Sequence, residues 1–307
     1  MKFFSDKPNI DWLKYKKVGY IFSGTLTVLT IVMLIANGGL KYGIDFAGGT
    51  LVQLKFKTAP QVSVVRTVVD SVGLGGEIQQ FGEPVDIIIN IHPKAGESEE
   101  ASTKKVTAAL ETQFGKGSFT VERSEIVGPK VGKDLATKAM LAVLYSTVGI
   151  LIFLAFRFEF RFAITAIIAL VHDIIVTLGA VTITGKEFTL PVLAAILTVI
   201  GYSLNDRIVV SDRIRENLRL KRNLELPALV NESVNETLSR TIITASLMLV
   251  VVMALFLFGG TVLHDFAFTL LVGIGFGTYS SIFVASALLI DWPGTTTAKL
   301  SLSIRKS

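Results

Sequence analysis

The chain has 307 residues, half of them apolar, a formal net charge of +5 and no cysteine. So apolar a composition excludes an ordinary soluble domain as the whole molecule. The missing cysteine excludes disulfides and thiolate metal sites and says nothing about compartment.

The first seventeen residues, MKFFSDKPNIDWLKYKK, are long and polar for a leader, and no small-residue cleavage site follows the apolar run behind them, so an uncleaved first helix is expected. Six stretches are long enough to cross a hydrocarbon core of about 30 Å at roughly 1.5 Å per helical residue. They run from Val18 to Ala36, Ala139 to Phe156, Phe162 to Ile183, Phe188 to Val210, Thr241 to Phe258 and Phe266 to Ile290.

Between the first and second spans the pattern changes from continuous apolar to periodic. GTLVQLKFK (49–57) alternates as a strand, and Val62, Val65, Val68, Val69 and Val72 share one helical face. EIQQFG (77–82) and VDIIINI (85–91) read as two strands separated at Glu83-Pro84. ESEEASTKKVTAALETQF (97–114) reads as a helix with Ser98 as its cap, and SFTVERSEIV (118–127) as a last strand. The order βαββαβ predicts a ferredoxin-like α+β domain. It holds no nucleophile–base pair and no phosphate loop, which points to a binding or mechanical module; His92 beside Pro93 reads as a loop residue. The expected organisation is an N-terminus with the first span (1–36), this domain (37–138), a five-helix bundle (139–290) and a tail (291–307). The fold class is thus a polytopic α-helical membrane protein of six spans carrying one small inserted domain.

Basic residues set the orientation. Lys2, Lys7, Lys14, Lys16 and Lys17 precede the first span. Arg157 and Arg161 lie between the second and third, and Arg213, Arg215, Arg219, Lys221, Arg222 and Arg240 lie around the turn between the fourth and fifth. Lys299, Arg305 and Lys306 are in the tail, while the loops around Gly185 and Gly259 hold only Lys186. By the positive-inside rule both termini are expected in the cytoplasm and residues 37–138 on the far side. The positive balance is a topology signal and does not indicate nucleic acid, because the charges flank apolar helices without aromatic interleaving.

Two ionisable sites stand inside the spans. Asp173, beside His172, is about eleven residues into the third span; Asp206 is about eighteen residues into the fourth, in IGYSLNDRIVV (200–210). A carboxylate at a span centre costs on the order of 3 kcal/mol on insertion scales, so such groups turn inward and find partners. Arg240 opens the fifth span at a depth matching Asp206, so the two are expected to meet. Arg207, about 100° round the helix from Asp206, is expected to reach for headgroups. Low dielectric favours a protonated carboxyl and a nearby arginine opposes it, so such a pair can act as a proton switch. In the sixth span Gly273, Gly277, Ser281 and Ala285 recur every four residues, the spacing of a close helix contact. Gly128, Pro129 and Gly132 offer a hinge into the second span.

The stretches YGIDFAGGT (42–50), VERSEIVGPKVGKDL (121–135), FRFEFRFA (156–163), GYSLND (201–206), VVSDRIREN (209–217) and FLFGGTVL (256–263) resemble the SecF branch of the SecD/SecF family, membrane subunits of bacterial protein export with the resistance–nodulation–division architecture. The resemblance runs from about residue 40 to about residue 290. It implies a non-enzymatic subunit of the inner membrane, without catalytic residues, cofactor or metal. Its partners would be SecD, the SecYEG channel, YajC and preprotein substrates, with SecA linked functionally and lipid around it. Such a subunit uses the proton-motive force late in translocation. It also implies that proton passage falls on Asp206 and Arg240, with Asp173 second, and position 207 departs from the family's usual small hydroxyl residue. Half of a proton-coupled small-molecule exporter is the alternative; it would need larger inserted domains. An intramembrane aspartyl protease would need two facing aspartates that share a proton, against the arginines nearby.

Overall fold

The computed structural model describes residues 8–74, 78–80, 83–91, 98–221, 223–294, 297 and 300; for residues 79, 99, 129, 261 and 262 it describes the backbone alone. The expected roles of Lys2, Lys7, His92, Pro93, Arg222, Lys299, Arg305 and Lys306 lie outside the described residues.

Two compact units emerge. The smaller comprises Tyr42–Ala142 together with Glu187–Leu190. A short helix α2 (Ile44–Ala47) leads through Gly48 and Gly49, whose φ values of 76° and 140° suit glycine, into strand β1 (Gly49–Phe56). Helix α3 (Val62–Ser71), strands β2 (Ile78–Gln80) and β3 (Asp86–Ile91), helix α4 (Glu99–Phe114) and strand β4 (Phe119–Val127) follow, the βαββαβ order that the residue pattern predicts.

The sheet order is β2-β3-β1-β4, with every neighbouring pair antiparallel. Strands β1 and β2 are therefore parallel to each other with β3 inserted between them. Alternation places Val52, Leu54 and Phe56 of β1 on the same face as Ile87, Ile89 and Ile91 of β3, and Val65, Val69, Val106 and Leu110 of the two helices cover that face. Each of these buried apolar side chains contributes about 1.5–3 kcal/mol. Ser98 caps α4, its Oγ accepting from the Ala101 amide at 3.3 Å.

The segment after the third span belongs to this unit. Phe188 bridges Tyr42, the Gly43 amide donates to the Phe188 carbonyl at 3.0 Å, and the Leu190 amide donates to Asp45 Oδ2 at 2.8 Å. Asn90 Nδ2 donates to Glu187 Oε1 at 2.7 Å.

The larger unit holds residues 1–41, 143–186 and 191–307. Its helices are α1 (Lys16–Ala36), the later part of α5 (Pro129–Arg157), α6 (Phe160–Ile183), α7 (Leu190–Leu220), α8 (Leu226–Phe258) and α9 (Gly260–Ser280). Alpha-9 continues through a π-helical stretch (Ser281–Ser286) into α10 (Ala287–Asp291). Among the described residues, six helical stretches are long and apolar enough to cross a membrane, so the chain is a multi-pass membrane protein. Their burial divides them: about half of the apolar window is buried in α6 (56%), α7 (50%) and the last span (56%), against 17% in α1 and α8 and 6% in α5. Helices α6, α7 and α9 form the interior.

The expected hinge takes another form. Alpha-5 is one unbroken helix from Pro129, and Gly132 lies inside it, where a Cβ would stand 3.0 Å from the Phe46 carbonyl oxygen. Gly132 is a close contact within the small unit.

At 31 and 33 residues, α7 and α8 run to roughly 46 and 50 Å, longer than a hydrocarbon core. The excess falls at the turn joining them and is polar. There Arg213 Nε donates to Glu236 Oε2 at 2.5 Å, Asn217 Nδ2 to the same oxygen at 2.8 Å, and Lys221 Nζ to Glu232 Oε1 at 2.5 Å. The hydrogen bond from Lys221 to Glu232 raises the lysine pKa above its ordinary value. Ahead of α1, the backbone at Ile10 and Trp12 is gripped by two asparagines one turn apart on α8. Asn235 Oδ1 accepts from the Ile10 amide and the Trp12 indole, Asn231 Oδ1 accepts from the Trp12 amide, and both side-chain amides donate to the Ile10 carbonyl.

Candidate proton-carrying site

The interior trio of helices brings the intramembrane charges into two groups. Asp173, on the inner face of α6, is fully buried. Three side chains meet it. Arg207 of α7 forms an ion pair with Oδ2 through Nη2, Ser203 Oγ donates to Oδ2 at 2.6 Å, and His172 Nδ1 lies 3.1 Å from Oδ1. The same Arg207 Nη2 donates to Ser280 Oγ of α9 at 2.8 Å. One guanidinium thus ties three helices together.

The second group is sparser. Asp206 is 7% exposed, and Thr241 Oγ1 of α8 donates to its Oδ1 at 2.6 Å. Among the described residues its Oδ2 has no hydrogen-bond partner. A carboxylate so placed has one oxygen held and one available, which suits an exchanging proton better than a saturated ion pair does.

The expected meeting of Asp206 with Arg240 does not occur here. Arg240 is exposed and makes no ion pair with Asp206; Thr241, about 100° further round α8, faces the carboxylate instead. Arg207 also departs from expectation. It is 2% exposed and turned inward to Asp173, because the 100° that separates it from Asp206 points it at α6 and α9 rather than at the bilayer surface. Asp173, the second candidate, is buried on α6, and its partner Arg207 lies on α7.

Sequence reasoning missed Thr241, Ser203 and Ser280. Each is a hydroxyl one helical turn or less from a charge or from the small-residue stripe, and hydroxyls within spans are common hydrogen-bond partners, so the signal was present but weak. The stripe itself packs as expected: a Cβ on Gly273 would stand 2.2 Å from Val199 Cγ2, and one on Gly277 would stand 2.2 Å from Ser203 Oγ, both on α7.

Six spans, an α+β insertion after the first and carboxylates buried inside the bundle define, among the described residues, a polytopic membrane protein with ionisable groups in its interior. Residues 106–295 match the family model described as protein export membrane protein SecD/SecF, C-terminal, and residues 34–60 match the SecD/SecF GG motif, which contains the Gly48-Gly49 pair. A protein translocase subunit SecF from Calditerrivibrio nitroreducens is 47% identical over 284 residues, covering 92% of this chain and 93% of the relative. One from Desulfurispirillum indicum is 48% identical over 274 residues, covering 86% and 87%. Among solved structures, the crystal structure of SecDF, a translocon-associated membrane protein from Thermus thermophilus, superposes with a TM-score of 0.84 at 37% identity over 95% of this chain. A SecDF structure in a super-membrane-facing form gives 0.70 at 36% identity over 99%. The chain spans 40% and 41% of those two SecDF chains. The chain belongs to the SecD/SecF family of protein-export membrane proteins.

Proposed function

We propose that this protein is the SecF-type half of a bacterial protein-export assembly that draws on the proton-motive force, and that it acts without enzymatic chemistry or a cofactor. SecD supplies the complementary half. The matched SecDF chains are more than twice as long as this one, which supports that reading. The assembly works at the SecYEG channel, with YajC, on preproteins that SecA has already engaged. It lies in the inner membrane with both termini cytoplasmic and the α+β unit, in the ferredoxin-like arrangement, in the periplasm; the basic residues around the α7–α8 turn support this orientation.

The observation that carries the proposal is Asp206: a buried carboxylate with one oxygen held by Thr241 and the other without a partner among the described residues. Its proton comes from the periplasmic side and leaves toward the cytoplasm. A charge crossing the membrane gains about 2.3 kcal/mol per 100 mV, enough to bias a helix rearrangement held by one or two hydrogen bonds. Thr241 and Arg240 are adjacent on α8, so a rotation of that helix by about 100° exchanges a hydroxyl for a guanidinium beside Asp206. The guanidinium favours the ionised form and expels the proton.

The test compares Asp206→Asn and Arg240→Met in inverted membrane vesicles, scoring complex yield and gradient-dependent late export. Normal yield with gradient dependence lost supports the relay. Lost yield in both variants would mark structural roles for the two residues, and full gradient-dependent export with Asp206→Asn would sink the reading.

A further inference from the structure

Arg207 stands next in sequence to the proposed proton carrier and is among the most deeply buried large side chains of the bundle. A guanidinium does not deprotonate in proteins, so its charge must be balanced inside the bundle. Two carboxylates are near enough in sequence or space to do so, and the geometry distinguishes them. Asp206 faces α8 and accepts from Thr241, whereas Arg207 faces α6 and α9 and pairs with Asp173. Arg207 Nε and Nη1 have no acceptor among the described residues, so Asp173 carries the compensation through Nη2.

Among the described residues, the other polar groups around the two sites do not supply a rival counter-charge. On α6 the neighbour is His172; on α9 it is the Ser280 hydroxyl; on α8 it is the Thr241 hydroxyl, with Arg240 exposed; on α7 itself it is the Ser203 hydroxyl and Tyr202. A proton moved onto Asp173 would leave Arg207 as an uncompensated buried cation.

We propose that Asp173 is the dedicated counter-charge of Arg207, a fixed pair that withdraws the arginine's charge from Asp206 and leaves Asp206 free to exchange its proton. The proposal rests on the proton-carrying role of Asp206. It divides the labour between the two intramembrane carboxylates: Asp173 is a positioning residue and Asp206 the carrier.

The experiment uses the full chain in its membrane complex, with Asp173→Asn, Arg207→Ser and the double variant. Peptide mass spectrometry at fixed pH measures labelling of Asp206 by a hydrophobic carbodiimide, which reacts with protonated carboxyls, alongside complex yield and gradient-dependent export. In Asp173→Asn the unpaired arginine lowers Asp206 labelling about tenfold, the change expected of one uncompensated charge close by. The double variant restores labelling and yield to within about twofold of the parent and keeps gradient-dependent export. Should Asp173→Asn fail to assemble, recovery of yield in the double variant supports the pair, and no recovery overturns it. Unchanged labelling in a well-assembled Asp173→Asn also overturns it, as does a well-assembled double variant that has lost gradient dependence, since Asp173 would then be carrying protons itself. The carrier reading fails separately, through full gradient-dependent export in Asp206→Asn.

Discussion

Gly277→Ala is the smallest change that reaches Asp173 from outside its own network. The new Cβ would lie 2.2 Å from Ser203 Oγ, 3.2 Å from Ser203 Cβ and 3.6 Å from Ser203 Cα, so the two helices can stay where they are only if the hydroxyl rotates away. Rotation breaks the 2.6 Å hydrogen bond to Asp173, and a hydrogen bond to a charged group contributes about 1.5–3 kcal/mol. Replacing glycine by alanine inside a helix returns about 1 kcal/mol. The net expectation is a loss of about 0.5–2 kcal/mol. Gly275→Ala, two residues away on the same helix with nothing within 4 Å, should instead gain about 0.5–1 kcal/mol. The assay is the midpoint of unfolding in detergent, read as the monodisperse fraction after graded heating. Adding Ser203→Ala should remove the difference, so that the Gly277→Ala/Ser203→Ala pair costs no more than Ser203→Ala alone. If Gly277→Ala were as stable as Gly275→Ala, Ser203 would not be confined by α9 and the reasoning would fail.

Two further outcomes follow from the ends of the long helices. Asn235→Ala removes the acceptor for the Ile10 amide and the Trp12 indole and one donor to the Ile10 carbonyl, so the strap ahead of α1 loosens by about 1–2 kcal/mol; limited proteolysis followed by mass spectrometry should show faster cleavage before Trp12, and an unchanged rate would count against the clasp. The pKa of Lys221 is raised by its hydrogen bond to Glu232, so its contribution to stability is complete below the unfolded value of about 10.4 and is lost as the pH climbs through the higher folded value. Melting temperature measured across that alkaline window should fall less in Lys221→Met than in the parent, and identical slopes would remove the linkage.

The elements that could be read from residues alone were those with strong periodicity. The six spans stand out by length and apolarity, and the valines of α3 and the alternation in β1 and β3 mark a sheet covered on one face. The partners of the buried charges were harder to read, because depth along a helix can be counted in sequence but direction around it depends on which neighbour packs there. Arg240 and Asp206 match in depth, yet a rotation of about 100° on α8 hands the contact to Thr241. Arg207 was misread for a related reason. Flexible cations near a span end usually reach for water, and only the position of Asp173 across the α6–α7 seam pulls this one inward. Nor did any local pattern signal that Glu187–Leu190 folds with residues 42–142, since that attachment is made through backbone groups and through Asp45 and Asn90, far away in sequence.

That attachment bears on how the topology of this protein can be measured. Reporter cassettes for mapping membrane sidedness are normally placed in short connections between spans, on the assumption that such connections are passive, and insertion tolerance in fact follows the burial and hydrogen bonding of the backbone being cut. Between Lys186 and Pro191 the chain bridges Tyr42, receives the Gly43 amide and sends the Leu190 amide to Asp45. A side chain on Gly43 would leave a Cβ only 2.6 Å from Thr189 Cγ2. A cassette inserted there would dismantle the α+β unit and then report on the wreckage, whereas a cassette at Gly38-Gly39, where a Cβ would meet nothing within 4 Å, leaves the unit's hydrogen bonds intact.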